Sequence, residues 1–443
     1  MNKVLEKALN YSKADETEVI FVSNSSGLTR FANSSIHQNV YEEDKYLKIR
    51  VIKDKKIGSV STNILTDKSI KNAVNRAIEL SKFAKEDSNL ALPKPTLIKE
   101  MPTFYKDTAN CSPERKANIV KEIIEMGKNK GCISSGALQT GNVSISISNS
   151  SGVDVSAQLT SASLVIVMEK DGSSGYSSSI SRDINKINHL ELGNEAIEKA
   201  ISSINPKEIG PGEYEVILEP PAVADLLLFL GLVGFGALSF QEKRSFMCGN
   251  MGKKIMGENI TIWDDGCDPQ GTGMPFDFEG VSKEKVIFIE NGIAKNICYD
   301  SYTANRENTL STGHSLPQPN TTGPIPTNLF MKEGNSSKEE IIKNTKKGIL
   351  ITRFHYTNVI EPMRAVITGM TRDGTFFIEN GKVSYPIKNM RFTQSIIDGL
   401  SNVSFISKER RLSSEGMIIE FLSSCYVPTI KIEKFNFTGK TDF

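Results

Sequence analysis

The segment Ser23-Asn24-Ser25-Ser26-Gly27 occurs a second time, as Ser148-Asn149-Ser150-Ser151-Gly152, 125 residues further along the chain. An alternating polar and apolar stretch precedes each copy, and a second such stretch, a charged turn and a helical pattern follow each copy. This order predicts that residues 1–205 form an α+β domain made of two related halves, about 1–105 and 106–205. The alternative is that Asn-Ser-Ser-Gly, which favours turns, arose twice independently.

The helical patterns have recognisable ends. Ser112 is a good N-cap, Pro113 fits the first helical position, and Gly131 stands where that helix would end. Residues 3–13 begin the first half in the same way. Apolar residues at positions 70, 73, 74, 77 and 78 recur with the spacing of one buried helical face.

Prolines and glycines are dense around residues 205–212 and mark a boundary before a second domain, residues 212–443. Hairpin turns are predicted at Asn291-Gly292, Asp373-Gly374 and Asn380-Gly381. Only three helices are predicted there, at 222–238, 337–346 and 393–401. The fold class is therefore α+β, with an N-terminal α+β domain that contains the repeat and a C-terminal domain that is a β-rich barrel or sandwich.

Composition argues against several classes of function, nucleic-acid binding among them. The 53 Lys and Arg residues are matched by 52 Asp and Glu, so the chain has no surplus of positive charge for nucleic acid. The six cysteines form no C-x-x-C pair. Neither a signal peptide nor a membrane span is recognisable, because the most apolar stretch, Leu226 to Leu238, is shorter than the roughly 20 residues needed to cross a bilayer. We expect a cytoplasmic protein without a membrane partner.

Few residues offer conventional catalytic chemistry. The chain has four histidines and lacks the H-E-x-x-H zinc motif, the G-x-S-x-G nucleophile motif and the P-loop. His314 and His355, together with an acid such as Asp264 or Asp265, could form a metal or acid/base site, although packing roles are more common for such residues. Arg244 either clamps a peptide carboxylate or lies in solvent at the end of a helix. The segment from Ser301 to Leu329 is expected to be a substrate-facing lid.

Several runs together resemble the TldD/PmbA family, also called modulator of DNA gyrase. They are Phe240-Gln241-Glu242-Lys243-Arg244-Ser245-Phe246, Ser301-Tyr302-Thr303-Ala304, Thr312-Gly313-His314-Ser315-Leu316-Pro317-Gln318-Pro319-Asn320, Arg353-Phe354-His355-Tyr356-Thr357-Asn358, Gly369-Met370-Thr371-Arg372-Asp373-Gly374-Thr375-Phe376 and Arg391-Phe392-Thr393-Gln394-Ser395. The resemblance covers most of the chain. It implies a relation to zinc metalloproteases and gives candidate residues for a substrate-facing cleft: Arg244, His314, Arg353, His355, Tyr356 and Asn358.

The sequence departs from the catalytic branch of that family at the zinc motif. The resemblance places Leu228, Phe229 and Val233 where that branch has His-Glu-x-x-x-His, and about Ser414 where it has a cysteine ligand. Hydrocarbon side chains neither bind zinc nor transfer protons. Cys425 is interpreted as structural.

The resemblance therefore implies a TldE-like, non-catalytic subunit without a metal or other cofactor of its own. Its partner would be a TldD-like subunit that carries the zinc and hydrolyses small or unfolded peptides. Two alternatives remain: a self-sufficient hydrolase that uses His314 or His355, and a homodimeric module that binds peptides without cleaving them.

Overall fold

The structure is a computed structural model that describes residues 2–413 and 423–441. Position 414, the predicted counterpart of the cysteine ligand, lies outside these residues. The N-terminal domain is one antiparallel sheet of six strands in the order β3-β2-β1-β4-β5-β6. Its elements are α1 (Asn2–Tyr11), β1 (Glu16–Ala32), β2 (Ser35–Lys53), β3 (Lys56–Thr62), α2 (Asp67–Ser81), α3 (Lys106–Ala109), α4 (Pro113–Asn129), β4 (Ile133–Asn149), β5 (Asp154–Lys170), β6 (Ser173–Ser181) and α5 (His189–Ser202).

The internal repeat is confirmed, but its predicted register is wrong. Each half has a helix, three strands and a closing helix. Glu16 and Ile133 begin the first strands, and Asp54 and Asp171 begin the turns after the second strands, so equivalent positions are 117 residues apart. The two Asn-Ser-Ser-Gly copies are not equivalent. Residues 23–27 lie inside β1, where neighbouring strands on both sides keep the chain extended, whereas 150–152 form a turn.

The two faces of this sheet have different neighbours. Val19 and Phe21 pack with α1 and α2, and Leu138 packs with α4 and α5. On the opposite face, Ile20 and Ile145 pack against the C-terminal domain. The residues of that domain at this contact are Phe276 and Phe278. The predicted start of α4 is confirmed, because the Ser112 side chain accepts the Arg115 N–H at 3.2 Å.

The C-terminal domain is a mixed sheet of eleven strands. Its elements are β7 (Gly212–Leu218), α6 (Pro220–Leu230), α7 (Ala237–Gln241), β8 (Ile262–Asp264), β9 (Val286–Glu290), β10 (Ile293–Ala294), α8 (Ser301–Arg306), β11 (Asn328–Met331), α9 (Lys338–Lys343), β12 (Lys347–Glu361), β13 (Val366–Glu379), β14 (Lys382–Pro386), β15 (Met390–Ser395), α10 (Ile396–Ser401), β16 (Val403–Ser413) and β17 (Ser424–Lys440).

Five of these strands close on themselves. The ladder runs from β7 through β12, β13 and β15 to β17, and β17 pairs again with β7. Inside this barrel Phe354, Phe392, Phe435 and Phe437 form a buried aromatic cluster with ring centroids 4.5 to 5.8 Å apart. Such aromatic contacts add to the hydrophobic free energy of the core. The prediction of a β-rich barrel or sandwich is therefore confirmed, with a closed barrel inside a larger mixed sheet.

Two of the three predicted hairpin turns are confirmed, at Asn291-Gly292 and Asn380-Gly381. The prediction at Asp373-Gly374 is wrong, because both residues lie within the continuous strand β13. Their positive φ angles, 54° and 122°, bend the strand where its pairing with β12 is irregular. A Cβ at Gly374 would stand 2.6 Å from the Thr352 hydroxyl, so the bend has room only for glycine.

The predicted helix at 222–238 is interrupted. Helix α6 ends at Leu230, a π-helical turn follows at Gly231–Phe235, and α7 begins at Ala237. Within the described residues, no helix is both long enough and apolar enough to cross a bilayer.

The segment from Ser301 to Leu329 is not a loose lid, contrary to expectation. It contains α8, and His314, Ser315 and Gln318 are buried. The Gln318 amide donates to the Asp300 carboxylate at 3.1 Å, and the Ser315 N–H donates to Asp277 at 2.8 Å. Its polar groups are therefore built into the domain.

Candidate functional site

An open cleft of about 430 Å³ lies between helix α6 and strand β12. Helix α6 contributes an apolar wall through Leu228 and Phe229, and Leu232 of the following π turn extends that wall. Strand β12 contributes His355 and Tyr356 on the other side. The cleft thus combines an apolar wall with polar groups at its edge, the usual composition of a binding site.

Helix α6 owes its position to its sequence. Glu219 is the N-cap, and Pro220 and Pro221 occupy the first helical turn, where a missing N–H costs nothing. The rest of the helix is apolar except for Asp225. That carboxylate accepts a hydrogen bond from the Thr357 hydroxyl of β12 at 2.5 Å. The contact joins the two walls of the cleft.

Strand β12 bulges beside this contact. Tyr356 has a positive φ of 50°, and the ladder to β13 shifts between His355 and Asn358. The amide of Asn358 donates to the Tyr356 carbonyl at 3.0 Å, which stabilises the bulge. Tyr356 is 70% exposed as a result, and its ring lies 4.3 Å from that of His355. A strained, exposed aromatic residue at the edge of a cleft is typical of a binding site.

The surroundings of His355 favour its neutral form. Partial burial, together with the nearby positive charges of Arg372 and Arg353, lowers its pKa below the usual value. Its imidazole can therefore accept or donate a hydrogen bond near neutral pH without carrying charge.

Arg353 lines the cleft but also bridges the two domains. Its guanidinium binds the Asp373 carboxylate through Nε at 2.8 Å and lies 4.3 Å from the centre of the Tyr176 ring. Asp373 also accepts the Ser174 hydroxyl of β6 at 2.6 Å. These contacts fix the orientation of the two domains beside the cleft.

The residues at the zinc-motif positions do not fit a zinc ion. Leu228 and Phe229 face the cleft, whereas Val233 is buried and lies outside its lining. The nearest possible donors in the cleft are His355 and Asp225, and Asp225 is bound to Thr357. Among residues 2–413 and 423–441, no group of three or more His, Cys, Asp or Glu side chains is arranged to hold a metal ion. A zinc site of the usual kind needs three or four such ligands.

His314 and Asp264 form a separate, fully buried pair. His314 Nε2 lies 3.0 Å from Asp264 Oδ1, and both side chains are 0% exposed. Asp264 also accepts the Asn328 N–H at 2.6 Å. The adjoining cavity measures about 20 Å³, room for about one water molecule. This pair therefore supports the packing of the domain and has no space for a peptide.

Burial and charge set the protonation of that pair. Burial lowers the pKa of His314, and the nearby Lys283 lowers it further. Burial raises the pKa of Asp264, but the positive charge of Lys283 and the contact with His314 outweigh this effect, so its pKa lies below the usual value. Both shifts favour a neutral imidazole beside a carboxylate.

A larger cavity of about 670 Å³ lies at the other side of Pro221, between the domains. Several of its charged groups bind one another. The Glu219 carboxylate accepts from Lys199 at 2.7 Å and also from Lys338, and Glu195 accepts from Arg411 at 2.9 Å. Because these charges are paired, the cavity presents less free charge to a ligand than its composition suggests.

The structure separates the predicted site residues. Leu228, Phe229, Arg353, His355 and Tyr356 meet at the cleft, with Asn358 beside it on the bulge. His314 is in the buried pair with Asp264. Arg244 is an exposed residue whose guanidinium pairs with Glu242, and it does not line the cleft. Cys425 is buried and its thiol lies 3.7 Å from the Ala224 carbonyl, and burial raises its pKa.

Sequence reasoning missed Asp225 and Leu232. The sequence does contain one sign of the importance of Asp225, which is the only charged residue among the eleven residues of α6. A lone carboxylate in an apolar helix needs a polar partner. That partner, Thr357, is 132 residues away and cannot be read from local sequence.

Comparison with known proteins agrees with this architecture. The sequence model of the PmbA/TldA metallopeptidase C-terminal domain matches residues 211–439. Models of domain 1 and of the central domain of the same metallopeptidases match residues 17–81 and 106–204. The three matches follow one another in the family's order.

Individual relatives extend over nearly the whole chain. An uncharacterised protein of Methanocaldococcus jannaschii is 29% identical over 89% of this chain and 92% of its own length. The metalloprotease PmbA homologue of Haemophilus influenzae is 24% identical over 97% of this chain and 93% of its own. The crystal structure of TldE from Thermococcus kodakarensis shares the fold, with a TM-score of 0.87, 22% identity and coverage of 99% of this chain and 100% of that one. With all three family domains matched in sequence, the chain belongs to the PmbA/TldD family.

Proposed function

We propose that this chain is a non-catalytic, TldE-like subunit of a zinc metalloprotease complex that acts in the cytoplasm on small or unfolded peptides. The observation that carries the proposal is the composition of the cleft beside α6. The family's motif positions 228 and 229 face this cleft, and both are hydrocarbon. A partner of the TldD type would supply the metal and the general base.

The cleft supports a role in holding peptide. Leu228, Phe229 and Leu232 provide an apolar wall, and His355 and Tyr356 provide polar groups on the opposite strand. An extended peptide needs both, because its side chains bury apolar surface while its backbone needs hydrogen-bond partners. The contact of Thr357 with Asp225 holds the two walls at a fixed spacing.

The test uses the purified full-length chain, alone and co-purified with a TldD-like chain that carries His-Glu-x-x-x-His. Zinc content and cleavage of an unstructured peptide are measured for both samples. We expect less than stoichiometric zinc and no cleavage for the chain alone, and zinc with cleavage for the complex. Stoichiometric zinc and cleavage by the chain alone would contradict the proposal.

A second candidate, a peptide-binding module that needs no TldD-like partner, is supported by the same open cleft. It predicts peptide binding by the isolated chain, weakened by Tyr356→Ala, with no complex recovered by co-purification. The hydrolase alternative has less support, because His314 is buried beside a cavity of about 20 Å³ and the acidic residue that lines the cleft with His355, Asp225, is bound to Thr357. Cleavage that His355→Ala abolishes would restore that alternative.

A further inference from the structure

Both walls of the cleft beside α6 are attached to the N-terminal domain. The wall formed by α6 is attached at Glu219, whose carboxylate accepts a hydrogen bond from Lys199 of α5 at 2.7 Å. The wall formed by β12 is attached at Arg353, whose guanidinium lies 4.3 Å from the centre of the Tyr176 ring of β6. The cleft itself is lined by residues of the C-terminal domain. One domain therefore holds both sides of a site that lies in the other.

The attachment at Glu219 is unusual for a residue that begins a helix. Glu219 is the N-cap of α6, yet its side chain makes no hydrogen bond to the N–H groups of that helix. Its carboxylate binds Lys199 and Lys338 instead, and the Glu219 side chain is only 6% exposed. Burial raises the pKa of this carboxyl, but the charges of the two lysines outweigh burial and hold the pKa below its usual range. Because a buried ion pair is costly to break by removing one partner, the start of α6 depends on the position of Lys199.

The attachment at Arg353 is similarly buried. The Arg353 and Asp373 side chains are 16% and 4% exposed, and they pair through Nε at 2.8 Å. Asp373 in turn accepts the Ser174 hydroxyl of β6 at 2.6 Å. A guanidinium over an aromatic ring gains more free energy in such a site than in water. Strand β12 is therefore fixed to β6 by a cation–π contact and by a chain of hydrogen bonds.

Both attachments come from one closely packed part of the N-terminal domain. Strand β6 and helix α5 touch backbone to backbone, because a Cβ at Gly175 would overlap the Ala196 carbonyl oxygen. Lys199 Nζ also donates to the Tyr176 carbonyl at 3.4 Å, and Tyr176 is buried. Lys199 and Tyr176 therefore have a fixed separation, and so do the two walls that they hold.

We propose that Lys199 and Tyr176 are positioning residues of the cleft, which set the separation of its two walls and thereby its affinity for peptide. Both lie outside the lining of the cleft and act through Glu219 and Arg353. The inference rests on the proposed function, which makes this cleft the peptide site, and adds that the N-terminal domain controls it. The bond from Thr357 joins the walls within the cleft, whereas Lys199 and Tyr176 hold them from outside.

The test compares disruptive and conservative variants of the full-length chain. Tyr176→Leu removes the ring beneath Arg353 and keeps an apolar side chain, and Lys199→Gln removes the charge that Glu219 binds. Tyr176→Phe and Lys199→Arg are the matched conservative variants, since they keep the ring and the charge. Circular dichroism confirms that each variant is folded.

Peptide affinity is the first measurement. The dissociation constant of a short unstructured peptide labelled with fluorescein is measured by anisotropy, for the chain alone and for its complex with a TldD-like chain. We expect Tyr176→Leu and Lys199→Gln each to weaken binding about tenfold, and the two conservative variants to retain it. Lys254→Gln, which loses only an exposed ion pair with Glu258, should leave binding unchanged.

Hydrogen exchange without peptide separates this inference from the proposed function. In Tyr176→Leu and Lys199→Gln, exchange followed by mass spectrometry should become faster at residues 225–232 and 353–358 and stay unchanged in β1, β2 and β3. General destabilisation would instead speed exchange throughout the chain. Unchanged affinity, exchange that rises equally everywhere, or equal weakening by the conservative variants would overturn the inference. A wild-type chain that binds no peptide, alone or in the complex, would contradict the proposed function, and exchange at the two walls would then decide the positioning role by itself.

Discussion

The Thr357 hydroxyl lies 2.5 Å from the Asp225 carboxylate and ties the bulge of strand β12 to helix α6. This contact occurs at helix α6, the helix to which the sequence analysis assigned positions 228, 229 and 233. The helix thus keeps a precise attachment to the barrel although its motif positions are hydrocarbon, which is consistent with a cleft retained for binding.

Loss of this contact should destabilise the fold. We expect Thr357→Val to lower the free energy of unfolding by about 1 to 3 kcal/mol, because a hydrogen bond to a charged carboxylate is lost and the isosteric methyl group cannot replace it. Thr357→Ser keeps the hydroxyl and should lower the free energy of unfolding by less. Urea denaturation of both variants measures the difference, and equal stability of the two would contradict the assigned role.

The buried His314 predicts a loss of stability on mild acidification. Its pKa is lowered in the folded chain by burial and by Lys283, so the unfolded chain binds more protons below about pH 6.5. Stability should therefore fall as the pH drops below that value. In His314→Gln this part of the pH dependence should disappear. Unfolding free energies measured from pH 7.5 down to pH 5 test this, and a variant with the wild-type slope would refute it.

A buried cluster of charged residues at the contact between the two domains predicts the opposite trend. Over the same pH range, its effect is to lower the free energy of unfolding as the pH rises. Arg50 binds Glu18 at 2.7 Å and Glu279 at 3.0 Å, and all three residues are buried. Burial, with repulsion from Glu279, raises the pKa of Glu18 to about 7. The folded chain then binds more protons than the unfolded chain between about pH 4.5 and 7, so this group destabilises the fold as the pH rises.

Replacing that carboxyl should reveal its contribution. Glu18→Gln should flatten the decline in stability between pH 5 and 7 by an amount on the order of 1 to 3 kcal/mol. Asp277, whose pKa is also raised to about 7 by burial and by Glu279, should maintain part of the decline in the variant. Denaturant titrations at four pH values provide the comparison. A steeper decline in Glu18→Gln than in the wild type would be incompatible with this assignment.

The aromatic cluster should dominate the stability of the barrel. Phe435 is 0% exposed and stacks at 5.8 Å from Phe354. Phe435→Ala should cost about 3 to 5 kcal/mol, since it removes buried surface and leaves a cavity. Phe435→Leu fills more of the space and should cost less. Thermal unfolding followed by near-ultraviolet circular dichroism distinguishes them, and a mild effect of the alanine variant would show that the cluster is not central.

Local signals in the sequence predicted much of the fold. The caps of α4 and the Asn291-Gly292 turn depend on neighbouring residues, and both are confirmed. The prediction of a hairpin turn at Asp373-Gly374 failed because a dipeptide with positive φ angles can either bend a strand or form a hairpin turn. Pairing with β12 decides between these two outcomes. The predicted register of the repeat was wrong for a similar reason. Pairing with strands on both sides keeps residues 23–27 extended although their sequence favours a turn.

The candidate site could be predicted only in part. The runs of sequence that resemble the TldD/PmbA family identified Arg353, His355 and Tyr356, which meet at the cleft. The sequence analysis also named His314 and Asp264 among its candidates, but it could not show that they pair or that both are fully buried. Burial depends on distant segments, which a reading of local pattern does not contain.

Closure of the barrel by β17 has a consequence for synthesis on the ribosome. Strand β7 ends at Leu218, yet its partner β17 begins at Ser424, about 200 residues later. The six-stranded sheet, by contrast, is complete once residue 181 has emerged. The nascent chain can therefore assemble its first domain, and β7 can pair with β12, while the other side of β7 lacks β17 until that strand has left the exit tunnel. Premature termination before Ser424 would release a polypeptide with an open barrel and an exposed apolar interior.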